Sequence, residues 1–538
     1  MPAHAQDNSV STTLLETVVV TATGFEQNVT DAPASITVVP REELEKGAYS
    51  DLTDALRSVQ GVAVTGSPGN EDIYIRGLPG AYTLILVDGK RQNTRESRTN
   101  GDSGFEQSFL PPVAAIERIE VVRGPMSSLY GSDAMGGVIN IITRKVADRW
   151  TGTFSVDGTL QQHSKYGNAG SASFYASGPV VQDMLGLQFW GRGFLRKEDS
   201  FESGTPESKD VDFTGRLTFT PNADHDFVLE AGRTRLRRES TEGNTSTRPD
   251  SYNYNDRDHW SLTHTGRWGW TTSEVSVSQE WAERTNYNWD VGASAFMENL
   301  RSPEIQNTVI DAKTTTPFDL FGSHTLVIGG QYLDARLTDQ NPGRRTGLDE
   351  EFGITQWALF AEDEWWITPD FALTGGVRMD DHEIYGAHFS PRAYAVWHAT
   401  EQLTLKGGMS TGFKAPNIRT IAPGYAYTTG GRGCSYGPGG TCGVIIGDPN
   451  LEAEKSTSFE VSALWDSLGG VRLGATYFYT DFKDKITNSL VYNDDGTIAR
   501  WNEDPNYRLW YSYNIDEAVM QGVELTAEWQ VNEVLTLR

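Results

Sequence analysis

The chain has 538 residues and a formal net charge of −27, with 55 glycines, 15 tryptophans and 21 tyrosines. It is too long for one ordinary core, and too acidic to take nucleic acid, itself a polyanion, as a general partner. It also lacks the run of about 20 apolar residues that a membrane-spanning helix needs. A membrane role therefore requires a β-barrel, the other structure that satisfies its backbone in lipid.

At the start, Ala3-His4-Ala5 before Gln6 fits the small-residue A-x-A cleavage pattern of a secretory signal. The charged and apolar regions that precede such a site are absent, so the expectation is an upstream start or a trimmed signal, with a chance tripeptide as the alternative. Residues 1–15 then form a signal remnant and flexible N-terminus. "ETVVVTAT", Glu16 to Thr23, is a β-rich run between a polar stretch and the turn formers of "GFEQNVTDAP". No hairpin signal joins it to a neighbour, so it is expected to have no strand partner in its own chain.

Residues 24–146 mix helix and strand signals. "SITVVP", "DIYIRG", "YTLILVDGKR", "IERIEVVRG" and "GGVINIITRK" are short strands bounded by glycine or proline, and "SDLTDALRSV" is a short helix. Together they make a compact α+β domain of ordinary size. From residue 150 to 538 the pattern changes. Segments of about ten residues, such as "LGLQFWGRGFLR", "DFTGRLTFTP", "SEVSVSQEWAER" and "GVELTAEWQV", alternate small or polar with apolar or aromatic side chains. Short connections ("TPNADH", "HATEQ") alternate with long ones ("ESTEGNTSTRPDSYNYNDRD"), which is the turn asymmetry of a transmembrane β-barrel. Tryptophans and tyrosines near the segment ends suit interfacial girdles. A soluble all-β repeat protein is the alternative, and the length of the series and its aromatic load stand against it.

The two cysteines, Cys434 and Cys442, lie in the glycine-rich "GGRGCSYGPGGTCG". So close a pair suits a disulfide formed in an oxidising compartment; a metal site would want more Cys or His ligands nearby. Two further patterns carry little. "GMSTG", Gly408 to Gly412, formally fits the G-x-S-x-G elbow around Ser410, but that motif needs a strand-turn-helix setting and here "FKAP" follows a β segment. "DDHE", Asp380 to Glu383, offers metal-ligand types, but alternation along a strand leaves only Asp380 and His382 on one face.

"RIEVVRGPMSSLYGSDAMGGVINIITRK", Arg118 to Lys145, strongly resembles the plug of TonB-dependent outer-membrane receptors, and "IYIRGL" (Ile73–Leu78) and "TLILVDGKR" (Thr83–Arg91) match the same domain. In the barrel region, "GVRMDDHEIYG" (Gly376–Gly386), "TGFKAPN" (Thr411–Asn417) and "DPNLEAEKSTSFEV" (Asp448–Val461) resemble the ferric-catecholate branch, and within it the colicin I receptor. The resemblance implies a transmembrane antiparallel β-barrel, 22-stranded in the family, with an N-terminal α+β plug in its lumen. It implies a TonB box at Glu16, Thr17, Val18, Val19, Val20, Thr21 and Ala22, reached from the periplasm by TonB and its inner-membrane energising complex, with residues 24–33 as linker. An extended segment of this kind can add itself to another protein's sheet edge.

Arg76 of "IRG" and Arg123 of "VRG" match plug arginines that in this family pair with barrel glutamates, here Glu460 and Glu524, as a latch between plug and wall. Gly77, Gly124, Gly131, Gly136 and Gly137 around them serve tight turns. The cargo implied is a ferric siderophore, most readily a catecholate: a compact anion with aromatic faces, which arginine can both neutralise and stack upon. Candidate contacts are Arg95 and Arg98, in a loop that also carries Arg91, with Arg344, Arg345, Arg419 and Tyr425. Iron travels inside the ligand, so no resident cofactor or metal is expected, and no enzyme activity.

The location implied is the outer membrane of a Gram-negative bacterium, with outer-membrane lipids as surroundings; colicin or phage docking is suggested by the branch resemblance alone. Alternation gives sixteen or seventeen barrel segments, and the chain stops at "VLTLR". The expectation is that the last strands are missing and that the barrel is left incomplete. Rival readings are import of another chelate or nutrient (cobalamin, haem, a hydroxamate) and, from another class, a passive porin or surface binding protein.

Overall fold

A computed structural model describes residues 18–538 apart from positions 48, 50, 51, 68, 69, 99–104, 431, 432, 533, 534 and 538. Residues 1–15 and the first two positions of the expected TonB box, Glu16 and Thr17, therefore lie outside the described residues.

The N-terminal domain is built on a five-stranded sheet. Its strand order is Ser35–Pro40, Ile116–Arg123, Gly137–Thr143, Thr83–Val87 and Lys90–Arg91, with Thr83–Val87 running parallel to Gly137–Thr143. The inner strands read as near-continuous apolar runs because both faces of the sheet are covered. Ile119, Val121, Ile139 and Ile141 point into a cluster with the helices Arg41–Lys46 and Leu52–Leu56, while Val122, Val138 and Leu84 point into a second cluster with Val19, Ala32 and Leu129. Each such side chain removed from water contributes about 1.5–3 kcal/mol, so this sheet is the rigid body of the plug. Lys90–Arg91, held by two ladder pairs at the sheet's edge, is its least secured strand.

Around this plug, among the described residues, stand sixteen long antiparallel strands, from the nine-residue Thr151–Thr159 to the 23-residue Arg508–Gln530, followed by the short Thr536–Leu537. They alternate as the sequence suggests. In Glu207–Asn222, Val211 and Phe213 face outward and exposed while Ser208, Asp210, Thr214 and Arg216 are buried against the lumen. An apolar outside and a polar inside are what lipid and an aqueous lumen demand. Exposed tryptophans, Trp268, Trp270, Trp397 and Trp529, cluster at the ends where the connections are short and mark one interfacial girdle. Among the described residues, Thr151–Thr159 pairs on one side only, with Ala169–Val181.

One expectation needs correcting. Val18–Val19 does have a strand partner in its own chain: it pairs antiparallel with Gln27–Asn28, across a turn closed by Gly24 N–H donating to the Val20 carbonyl at 2.8 Å, with Gly24 at φ +78°. Two residues are too few to register as alternation, and the connection is longer than the tight turns that announce a hairpin. Residues 24–33 are likewise folded back against the domain, with Ala32 fully buried.

Candidate functional site: a latched plug under an arginine-lined cavity

The chain turns sharply after Asn70–Ile75, with Ile75 and Leu78 exchanging backbone hydrogen bonds, and this turn puts Arg76 at φ +49°. An L-residue there costs about 1–2 kcal/mol, and what holds it is on the barrel wall. Arg76 donates to Glu460 at 2.6 Å and to Glu524 at 2.9 and 3.0 Å, and its guanidinium lies 4.3 Å from the centroid of the Phe478 ring. Arg123 stands 3.4 Å from the same Glu524 and donates to Thr37 Oγ1 and the Gln60 carbonyl. Tyr394 donates its hydroxyl to Glu460 at 2.7 Å.

The two arginines and two glutamates are all nearly sealed from water, at 5–8 % side-chain exposure. Burial alone would push the Arg76 guanidinium down, but Glu524 and Glu460 more than offset it and raise it. Gly61, at φ +72°, makes room: a Cβ there would come within 2.5 Å of a Glu524 oxygen. All four latch residues read from the sequence thus converge on one buried cluster.

Below, at the short-turn end, the N-terminal segment is gripped twice. The plug sheet grips it through Glu120, which accepts hydrogen bonds from Val20 N–H at 3.0 Å and from Thr21 N–H and Oγ1 at 2.9 and 2.6 Å; Asn140 donates to Thr21 Oγ1, and Tyr130 to the Thr21 carbonyl. The barrel wall grips it with cations. Arg392 donates to the carbonyls of Ala22 and Pro33, Lys313 to that of Gly24, and Lys406 to those of Val29 and Ala32, the last two both at 2.7 Å. His398 meets Asp31 at 3.0 Å. Burial pushes the Asp31 carboxyl up, but the hydrogen bond and charge of His398 outweigh it and leave it below the ordinary carboxylate range. Sequence reasoning missed this clamp. Its acceptors are main-chain carbonyls, which carry no residue signature.

Above, at the long-loop end, plug and wall enclose a cavity of about 400 Å³. Among the described residues, Arg95, Arg98 and Arg419 line it, as do Arg91 and Lys414, against two carboxylates, Glu96 and Asp133. Of the expected ligand contacts that line the cavity, Arg95 is the most available, 30 % exposed and 3.6 Å from Asp72. Arg98 is paired with Glu106, and Arg419 is held by Asp339 at 3.0 Å and Glu96 at 3.1 Å. Tyr425 is fully buried, giving its hydroxyl to Asp339 at 2.7 Å, so it supports Arg419 from behind.

Arg344 and Arg345 lie outside the cavity lining, the first paired with Glu503 at 3.0 Å, the second 4.2 Å from the centroid of the Tyr436 ring. Lys414, which the sequence reading did not single out, stands 3.5 Å from Asp133. Burial pushes that carboxyl up, while Lys414 and Arg91 more than reverse the effect. Cys434 and Cys442 are joined, closing the outer loop that carries Tyr436. Ser410 sits within the strand Leu403–Lys414, paired across it with Arg392 and Ser458, so it is not on an elbow. Asp380 is taken up by Arg378 and Gln356.

Residues 28–138 match the TonB-dependent receptor plug domain, and residues 190–538 match the TonB-dependent receptor-like β-barrel. An iron-regulated outer membrane virulence protein of Vibrio cholerae is 40 % identical over 99 % of this chain and 78 % of its own length. A ferric enterobactin receptor of Pseudomonas aeruginosa is 29 % identical over 97 % of this chain and 76 % of its own. The crystal structure of a variant of the ferric enterobactin receptor from the same organism superimposes with a TM-score of 0.82 at 27 % identity, covering 97 % of this chain and 80 % of that one.

Proposed function

The chain belongs to the TonB-dependent receptors, and from that premise we propose that it is an outer-membrane importer of ferric siderophores, catecholates foremost, energised by TonB. The observation that carries the reading is the presence of three devices in one molecule: an arginine-lined cavity at the long-loop end, a buried plug-to-wall latch, and a docked N-terminal segment at the short-turn end.

A ferric catecholate is an anion with aromatic faces, and Arg95, Arg98 and Lys414 can neutralise it while a guanidinium stacks on a ring. Iron enters as cargo inside the chelate. TonB would take the Val18–Val19 strand by replacing Gln27–Asn28 as its partner, with main-chain hydrogen bonds supplying the grip. Traction on Thr21 reaches Glu120, which lies on the same strand as Arg123, so the pull arrives at the latch through a single rigid element. A latch ion pair is costly to break one partner at a time but can re-form in a displaced geometry. The narrower likeness to the colicin I receptor, and with it colicin docking, rests on the barrel motifs.

The test is equilibrium binding to cells that display the protein. A ferric tris-catecholate should bind and should not be displaced by excess cobalamin or ferric hydroxamate; Arg95→Ala should weaken it roughly tenfold, the scale of one charge-assisted contact of about 1.4 kcal/mol. Displacement by cobalamin would move the cargo to another class.

A further inference from the structure

A second space lies under the first. Plug and wall enclose about 610 Å³ between the outer cavity and the N-terminal segment, reaching down to Val20, a volume in the range of small-molecule sites. The two spaces share three lining residues, Leu84, Arg91 and Gln331. Like the outer cavity, the lower space has a lining whose charge is opposite in sign to that of the whole chain. Among the described residues, seven Lys or Arg side chains, Lys90, Arg91, Lys145 and Lys313 among them, face four carboxylates, Asp88, Asp226, Glu274 and Asp311, a surplus of three positive charges. The whole chain has 45 basic residues against 72 acidic ones, so average composition would give the opposite sign. A narrow space with low-dielectric walls and one sign of charge concentrates ions of the other sign.

We propose that this lower space is a transit site for an anionic chelate, entered from the outer cavity past Arg91. The proposal rests on the import reading above. Arg91 closes the throat by donating to Asp133 at 2.8 Å and to the carbonyls of Tyr130 and Ser132 at 2.6 and 2.8 Å, beside Gln331, which bonds Asp311 and accepts from Arg378. It sits on the plug sheet's edge strand, whose ladder is limited to the pairs Leu86–Arg91 and Val87–Lys90 with one further backbone bond from Gln92 N–H to the Ile85 carbonyl. Displacing that strand opens the throat without breaking the interior of the sheet. The anion that leaves the outer cavity then meets a second basic surface, and the lower end of that surface is the segment under traction.

Lys90 and Lys145 give charge to the lower space without belonging to the latch or donating to the carbonyls of residues 22–33; the Lys145 side chain is 92 % exposed, and its 4.0 Å approach to the exposed Glu26 is an ion pair at the solvent. Reversing both, Lys90→Glu with Lys145→Glu, turns the surplus of three into a deficit of one. In cells expressing the receptor, uptake of a ferric tris-catecholate should fall at least tenfold while binding at the cell surface changes less than twofold, and the Lys90→Gln, Lys145→Gln pair should fall in between. Uptake unchanged in the charge-reversed protein would overturn the transit site. An unaltered receptor that binds no ferric catecholate would instead overturn the import reading, which keeps the two failures apart.

Discussion

Arg76 shows how one side chain ties two bodies together. It is buried, its backbone is strained, and its charge is matched only by Glu460 and Glu524 across the plug–wall boundary. Arg76→Ala removes the match and leaves two carboxylates buried, which should destabilise plug docking by about 3–5 kcal/mol. Adding Glu460→Gln and Glu524→Gln to Arg76→Ala should recover most of that loss in urea titrations of plug release; a triple variant no better than the single one would mean the arginine acts through packing on Phe478.

Asp31 gives a pH dependence with a fixed sign. Its carboxyl is depressed in the folded protein, so its contribution is present above the unfolded value of about 3.9 and is lost as pH falls through the lower folded value. Protease cleavage within residues 24–33 should therefore rise on acidification below about pH 4, and Asp31→Asn should be cleaved readily at neutral pH. Cleavage of the variant indistinguishable from that of the parent at neutral pH would remove Asp31 from the clamp.

Among the elements, the N-terminal segment has the most divided loyalties: it pairs with itself, hangs from the plug sheet at Glu120, and is pinned to three barrel strands. Lys406→Met would leave the carbonyls of Val29 and Ala32 buried without their donor, at about 1–3 kcal/mol for each unsatisfied group. Amide hydrogen exchange should accelerate in residues 22–33 while the inner plug strands keep their protection; acceleration spread evenly over the plug would show that the clamp is no separate unit.

The same segment marks the limit of what the sequence could say. Arg76, Arg123, Glu460 and Glu524 could be found because each sits in a short pattern resembling the family's, and the alternation of the barrel strands follows from lipid on one face and a lumen on the other. Lys406 in "LTLKGG" and Lys313 in "DAKTTT" look like any lumen-facing lysine, because their partners are carbonyls hundreds of residues away. The Val18–Val19 pairing escaped notice for being only two residues long. Arg98, Arg419 and Tyr425 were legible as polar groups near the plug apex, but their division into cavity lining and buried support depends on Glu106, Glu96 and Asp339, which only the fold brings near.

Across the whole molecule, the strand Ile116–Arg123 joins the latch to the gripped N-terminal segment, with the outer cavity on the far side, an arrangement that suits the proposed delivery of work from below. The most direct test is to put proline at Val19, where it removes a strand donor, and to measure ferric-catecholate binding and uptake in the same cells. Binding should stay within about twofold of the unaltered receptor, since the cavity is untouched, and uptake should fall to the level of cells lacking TonB. Uptake that persists with Val19→Pro would contradict coupling to TonB here, leaving Val18–Val19 as an ordinary plug strand and the receptor without its coupling site.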